Sequence, residues 1–144
     1  MIGSFILLAH FGRPKDGPDP SQSLKPVAAA AAEVLGRKVA FAEDCIGESA
    51  AAAIAAMGNG DILCLENTRF HKGEEKNDPQ FARRLAEHGD IYVDDAFSTA
   101  HRAHASVDAI ADLLPSYAGL AMMAEIAALG RALEAPERPV MGIV

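Results

Sequence analysis

Short apolar runs alternate with stretches of helical periodicity along this chain, the pattern of repeated βα units feeding a parallel sheet. Residues 4–9 form the first strand candidate. The following loop, 12–22, carries Pro14, Pro18 and Pro20 and is irregular. Ser23 is placed to cap a helix that runs to Leu35, with Pro26 tolerated in its first turn and Gly36 ending it. Residues 38–41 alternate, with Val39 and Phe41 on one face, and read as a short strand. The alanine-rich stretch 47–57 reads as a helix stopped by Gly58, and 61–65 as the next strand. Asp78-Pro79 marks a helix start, an acceptor followed by proline at the first helical position. Phe81 and Leu85, four apart, share one face of that helix, and Gly89 closes it. A strand is expected over 90–93 and a short helix over 107–114. The longest helix is expected over 119–133, with Met122, Ile126, Leu129 and Leu133 in one stripe. Residues 135–139 break structure, and 140–144 begin another apolar strand.

Three of the apolar runs lead directly into basic segments. The first opens His10-Phe11-Gly12-Arg13-Pro14, the second Glu66-Asn67-Thr68-Arg69-Phe70-His71. The third passes through Asp94-Asp95-Ala96-Phe97 to His101-Arg102-Ala103-His104-Ala105-Ser106. If the runs are parallel strands of one sheet, all three segments emerge at the same edge, where open α/β folds bind ligands. An arginine in each implies an anionic ligand, because the planar guanidinium fork matches phosphate or carboxylate.

Composition narrows the ligand. The chain has 144 residues, enough for one domain with a real core, half of them hydrophobic. A formal charge of −7 argues against a nucleic-acid binder. An acidic chain with arginines gathered at one edge builds a local anion site instead of a basic coat. No apolar run is long enough to span a bilayer and the first residues carry no basic leader, so a cytoplasmic location is expected. Cys45 and Cys64 lack metal-type spacing and read as buried structural thiols.

Each motif also has a plain structural reading. Arg13 could be incidental in a polar loop. Arg69 could pair with Glu66, Glu74 or Glu75 in solvent, where such pairs contribute little. His101 and His104, with Asp94 or Asp95, could hold a metal, but the adjacent Arg102 opposes a cation. Asp94 and Asp95 are read as capping or bracing the 101–106 loop. His71 and His88 are read as surface histidines. No Walker-type glycine loop, nucleophile elbow or dinucleotide fingerprint occurs.

At these same segments the chain resembles the phosphoglycerate kinase family, from end to end. The resemblance is carried by FILLAHFGRPK at 5–15, SLKPV at 23–27, DCIG at 44–47, LENTRFHKGEE at 65–75 and DAFSTAHRAHAS at 95–106. Glu137-Arg138-Pro139 before an apolar run is similar to the family's passage into its second half. The resemblance implies an α/β fold, a three-layer Rossmann-like parallel sheet flanked by helices. It also implies a glycolytic transferase whose N-terminal half binds 3-phosphoglycerate or 1,3-bisphosphoglycerate and whose C-terminal half binds magnesium ATP or ADP. By the same resemblance, His10, Phe11, Gly12, Arg13, Arg69 and Arg102 hold the substrate, with His101 a weaker candidate. No catalytic or metal-binding residue is assigned. Asp94 stands where the family more often has asparagine.

Residues 1–134 are then expected to be a partial substrate-binding domain that includes the long interdomain helix 119–133. Residues 135–144 are expected to be the hinge and the first strand of the nucleotide-binding domain. The family's first strand, with its substrate-binding residues, finds no match in this sequence, and neither does its nucleotide site. The chain alone is therefore expected to bind no nucleotide cofactor, to lack kinase activity and to fold weakly. ATP formed from 1,3-bisphosphoglycerate and ADP, or an ordinary cooperative melt, would contradict this. Full-length family members are usually monomeric, and neither nucleic acid nor membrane is an expected partner. A non-catalytic phosphate-binding module is the alternative, and a metal-dependent phosphohydrolase using Asp94, Asp95, His101 and His104 the remote one.

Overall fold

A computed structural model describes residues 3–15, 17–134, 136, 138, 139 and 141. Its strands and helices alternate as β1 (Phe5–Leu7), α1 (Lys25–Leu35), β2 (Val39–Phe41), α2 (Gly47–Ala55), β3 (Ile62–Cys64), α3 (Pro79–Ala86), β4 (Tyr92–Asp94), β5 (Ser116–Ala118) and α4 (Leu120–Leu133). Every strand pair is parallel; a helix separates the paired strands of the first three, while only a 3-10 turn and successive turns lie between β4 and β5. The hinge expected at 135–139 and the strand expected at 140–144 rest on residues outside the described set.

The single expected sheet is divided. One sheet has the order β1-β3-β2, and a second pairs β4 with β5. In the first, Ile6 and Ala40 flank Leu63, and Leu7 and Phe41 flank Cys64. These two rows point to opposite faces because side chains alternate along a strand. Leu63 and Leu65 enter the main core with Cys45, Ala50, Phe81, Ala82 and Leu85, contributed largely by α2 and α3. Cys64 enters a smaller cluster with Leu24 and Ala28 of the α1 region, against Val39 and Phe41. Helices on both faces of β3 give the three-layer arrangement around this sheet. Tyr92 of β4 and Leu114 also pack on the main core, so the two sheets share it.

Local chemistry explains the helix ends. Asp78 Oδ1 accepts from the backbone N–H groups of Gln80 and Phe81, at 2.9 and 2.8 Å, as its sequence position predicts. Helix α1 begins one residue later than expected. Leu24 occupies the cap position and offers no side-chain cap, while Ser23 Oγ still accepts from Lys25 N at 3.1 Å. Gly36 ends α1 in the left-handed conformation, φ 60°. Helix α3 ends at Ala86, before the Gly89 stop.

Two elements depart from the sequence reading. Residues 107–114 form successive turns in place of a helix, and a strand the sequence did not reveal, β5, follows Pro115. Three residues with an exposed central Tyr117 give too short a pattern to recognise; pairing with β4 defines the strand. In α4, Met122 alone of the expected stripe is buried, and Ile126, Leu129 and Leu133 remain exposed.

Candidate anion-binding site

The loops after β1, β3 and β4 meet although their strands belong to two sheets. Arg13, Pro14, Lys15, Arg69, Glu75, Arg102 and His104 line an open cavity of about 640 Å³. Each of the three expected arginines is therefore in one place, joined by Lys15 and His104, which the sequence reading had not assigned to the site. Their signal was available: both flank assigned residues in basic segments.

Arg69 is the most constrained of these side chains. It follows the buried run 62–68, within a 3-10 turn (Thr68–Phe70) that Asn67 caps by accepting from Arg69 N at 3.1 Å. Asn67 also donates to the carbonyls of Phe11 and Gln22, at 2.7 and 2.9 Å, tying the β1 loop to the β3 loop. The Arg69 side chain is only 6% exposed. One terminal nitrogen donates to the Gly12 carbonyl at 2.8 Å. Its Nε lies 3.4 Å from Glu75 Oε1 yet has no hydrogen-bond partner among the described residues. A buried donor of a permanent cation left unsatisfied beside a cavity suits an anionic ligand. Burial lowers the Arg69 pKa from its ordinary value, Glu75 opposes this, and Arg102 and Arg13 add to the lowering.

Gly12 has φ +65°, and a Cβ there would collide with the Gln22 carboxamide. Both facts require glycine where the β1 loop turns under Arg69. His10 is half-buried, and its pKa is lowered first by burial and then by Arg69, Arg102 and His104. It does not line the cavity. Phe11 is exposed and contributes its carbonyl to Asn67. His101 is exposed and is not among the lining residues.

The acidic residues have tasks other than those expected. Asp94 Oδ1 accepts from Ala96 N at 3.0 Å, and Asp95 Oδ1 accepts from Met122 N at 2.9 Å in the first turn of α4. They brace the loop directly after β4 and the start of α4, not 101–106. Glu74, fully buried, accepts from Ser106 N at 3.1 Å and from the Ser106 hydroxyl. Glu66 is also buried and accepts from Ser23 Oγ, Leu24 N and Asn67 N, at 2.6, 2.8 and 2.7 Å. Neither buried glutamate pairs with Arg69; among the expected partners only Glu75 does.

His71 and His88 are not bare surface histidines. His71 Nε2 lies 2.6 Å from Asp44 Oδ1 with its ring stacked on Phe81, and His88 Nε2 lies 3.0 Å from the Cys45 carbonyl. Both cysteines are free and buried as expected. Asp44, Cys45 and His71 present ligand atoms within 4.8 Å of one another, the one such group among the described residues. Burial, reinforced by Asp44, raises the Cys45 pKa. Burial likewise pushes Cys64 up to about 11. The aspartate and histidine set of a phosphohydrolase does not converge among the described residues.

A second groove, of about 450 Å³, is lined by Pro18, Pro20, Pro26, Phe41 and Phe70 with Asp19, Glu43, Glu66, Ser23 and Lys25. Its carboxylates and its one cation, Lys25 at 3.7 Å from Glu43, do not fit the phosphates of a nucleotide. Among the described residues no helix is long and apolar enough to cross a membrane.

The structure is a parallel α/β fold with a cationic cavity at its strand ends. Residues 2–144 match the family model described as phosphoglycerate kinase. The chain is 65% identical over 142 residues to a phosphoglycerate kinase of Methylorubrum extorquens, covering 99% of this chain and 36% of that protein. It is 66% identical over 139 residues to one from Rhodopseudomonas palustris, covering 96% and 35%. Among solved structures, phosphoglycerate kinase from Coxiella burnetii matches at TM-score 0.80 and 38% identity over 94% of this chain and 33% of that one. The enzyme from Pyrococcus horikoshii matches at TM-score 0.82 and 30% identity, over 93% and 34%. The chain belongs to the phosphoglycerate kinase family and spans about a third of the length of these relatives.

Proposed function

We propose that this chain supplies the acyl-phosphate side of a phosphoglycerate kinase. Its cavity binds 3-phosphoglycerate or 1,3-bisphosphoglycerate while the whole enzyme moves a phosphoryl group between the acyl phosphate and ADP. The observation that carries this reading is the convergence of Arg13, Arg69 and Arg102 on one cavity, with the buried Nε of Arg69 lacking a hydrogen-bond partner. Phosphoryl transfer relies on positioning and charge stabilisation, and these side chains offer both to a small dianion. Gly12 and His10 shape and flank the loop that carries Arg13. Phe11 serves by its backbone, and His101 lies at the margin. In this reading residues 1–134 form the substrate-binding part and 135–144 the start of the passage to the nucleotide-binding part. The magnesium nucleotide binds outside the described residues, whose second groove is acidic, so the 144 residues alone bind substrate without turning it over. The family implies a cytoplasmic glycolytic enzyme.

Titration of the chain with 3-phosphoglycerate, followed by amide NMR, tests the reading. Saturable shifts at Gly12, Arg69 and Arg102 are expected. Arg69→Ala removes charge-assisted hydrogen bonds worth about 1.5–3 kcal/mol, an affinity loss of roughly ten- to a hundredfold. Unchanged affinity in folded Arg69→Ala, or no shifts in the folded parent chain, would reject the site.

A further inference from the structure

Four permanent cations line the cavity, Arg13, Lys15, Arg69 and Arg102, and Glu75 is the one carboxylate among the described residues that line it. The two other glutamates near this turn are withdrawn from it. Glu74 is fully buried and commits its carboxylate to Ser106, and Glu66 is buried and commits its own to Ser23, Leu24 and Asn67. Glu75 differs: its side chain is 58% exposed, and its Oε1 lies 3.4 Å from Arg69 Nε. The two groups stand at ion-pair distance without a hydrogen bond, since that Nε has no hydrogen-bond partner among the described residues. Arg69 takes its orientation from other contacts. Its terminal nitrogen donates to the Gly12 carbonyl at 2.8 Å, and its backbone N–H donates to Asn67 Oδ1 at 3.1 Å. What Glu75 supplies is charge. Burial lowers the Arg69 pKa, and of the surrounding groups Glu75 opposes that lowering most strongly.

We propose that Glu75 is a built-in counter-charge of the cavity, which an incoming anion must displace from Arg69 and which thereby keeps anion binding loose and quickly reversible. The inference rests on the anion-binding reading of the cavity, and it adds a residue that opposes binding to those that favour it. A carboxylate beside a guanidinium does what a ligand oxygen would do, so part of the Arg69 charge is already answered before a ligand arrives. Once an anion is bound, two negative groups share one cation, and their repulsion is subtracted from the affinity. The displacement itself is easy, because an exposed ion pair contributes little and the Glu75 side chain has solvent to turn into. Tighter binding of substrate and transition state alike does not raise turnover, so a wall that loosens both leaves the chemical step intact and speeds exchange.

Glu75→Gln removes the charge and keeps the shape of the side chain. Titration of the parent chain and of this variant with 3-phosphoglycerate, and separately with inorganic phosphate, reads the effect. Both affinities are expected to rise by about three- to tenfold, the size of one partly screened charge at close range. Glu75→Lys should raise them further, and added salt should shrink the gain, because an exposed charge is screened. A residue that held Arg69 in place would give the opposite sign. Unchanged or weaker binding in the folded variants, or a gain that salt leaves untouched, therefore overturns the counter-charge while the functional reading stands on the parent's binding. If the parent chain binds neither anion, the functional reading falls. The counter-charge is then judged by the Nε–H resonance of Arg69 in the ligand-free chain. A resonance shifted by both variants supports the pairing, and one unmoved by them overturns it.

Discussion

The β3 strand and the strands of the β4–β5 pair all pair in parallel and are three residues long, yet they live in different surroundings. Every residue of β3 is buried, with strands on both sides and helices on both faces. In the other pair Val93 is 54% exposed, and its register partner Tyr117 is exposed too. Strand β1 resembles the second group: Ile6 faces the main core, while Phe5 and Leu7 point to the opposite face and are exposed. Helix α1 explains the difference, because Leu24 and Ala28 cover Cys64, Val39 and Phe41 without reaching β1. Hydrophobic residues state what a strand would bury; packed neighbours decide whether it does. The cationic cavity draws on both environments, with Arg69 seated on the buried side and Arg102 on the open side.

This contrast can be broken by truncating one apolar side chain on each side. Leu63→Ala opens a cavity in the shared core and should cost about 2–5 kcal/mol in denaturant unfolding. Leu129→Ala on α4, where the residue is 42% exposed, should cost less than about 1 kcal/mol. Equal costs would mean that the apolar face of α4 is covered in solution and the contrast fails.

A smaller effect is expected where α4 meets the β4 side. A Cβ on Gly119 would overlap the Asp95 carboxylate, which holds Met122 N. Gly119→Ala should displace Asp95 and release one helix-start hydrogen bond, at about 1 kcal/mol. Amide exchange reads it out: faster exchange confined to the first turn of α4 sharpens the contrast, whereas faster exchange at β3 as well would show the two regions opening together.

The smallest effect is a pH dependence. Burial and the neighbouring cations depress the folded-state pKa of His10, so the unfolded chain binds the proton more readily. The associated stability is present above the unfolded value of about 6.5 and is lost as pH falls through that value toward the lower folded one. Removing the titrating group by His10→Gln should flatten this part of the melting-temperature profile between pH 7.5 and 5.5. A profile parallel to the parent's would show that His10 does not sense the cluster.

Much of the site was legible because its chemistry is local. An arginine follows each of three apolar runs, whereas the left-handed turn at Gly12 and the turn that Asn67 caps were found only in the structure. The Asp78-Pro79 start and the shared face of Val39 and Phe41 followed from residue-level rules for the same reason. The apolar stripe of α4 was also legible, but its exposure was not, since a stripe does not specify a partner. The 107–114 segment had helical composition, yet its N-terminal end is held by Asn77 and by Tyr92, whose hydroxyl donates to the Ser106 carbonyl at 3.0 Å, and the segment forms turns. Likewise, Glu66, Glu74 and Glu75 look interchangeable in sequence, and only long-range hydrogen bonds distinguish the two buried braces from the cavity wall.

The sequence by itself determined most of the strands and helices, the family, and the arginines that line the cavity, because these depend on periodicity and on side-chain chemistry carried by short segments. The tertiary structure decided the division of the sheet, the covered and uncovered faces, and the assignment of each acidic residue. Those depend on contacts between segments tens of residues apart, where the free energy of burial and of hydrogen bonding is set by which groups arrive together.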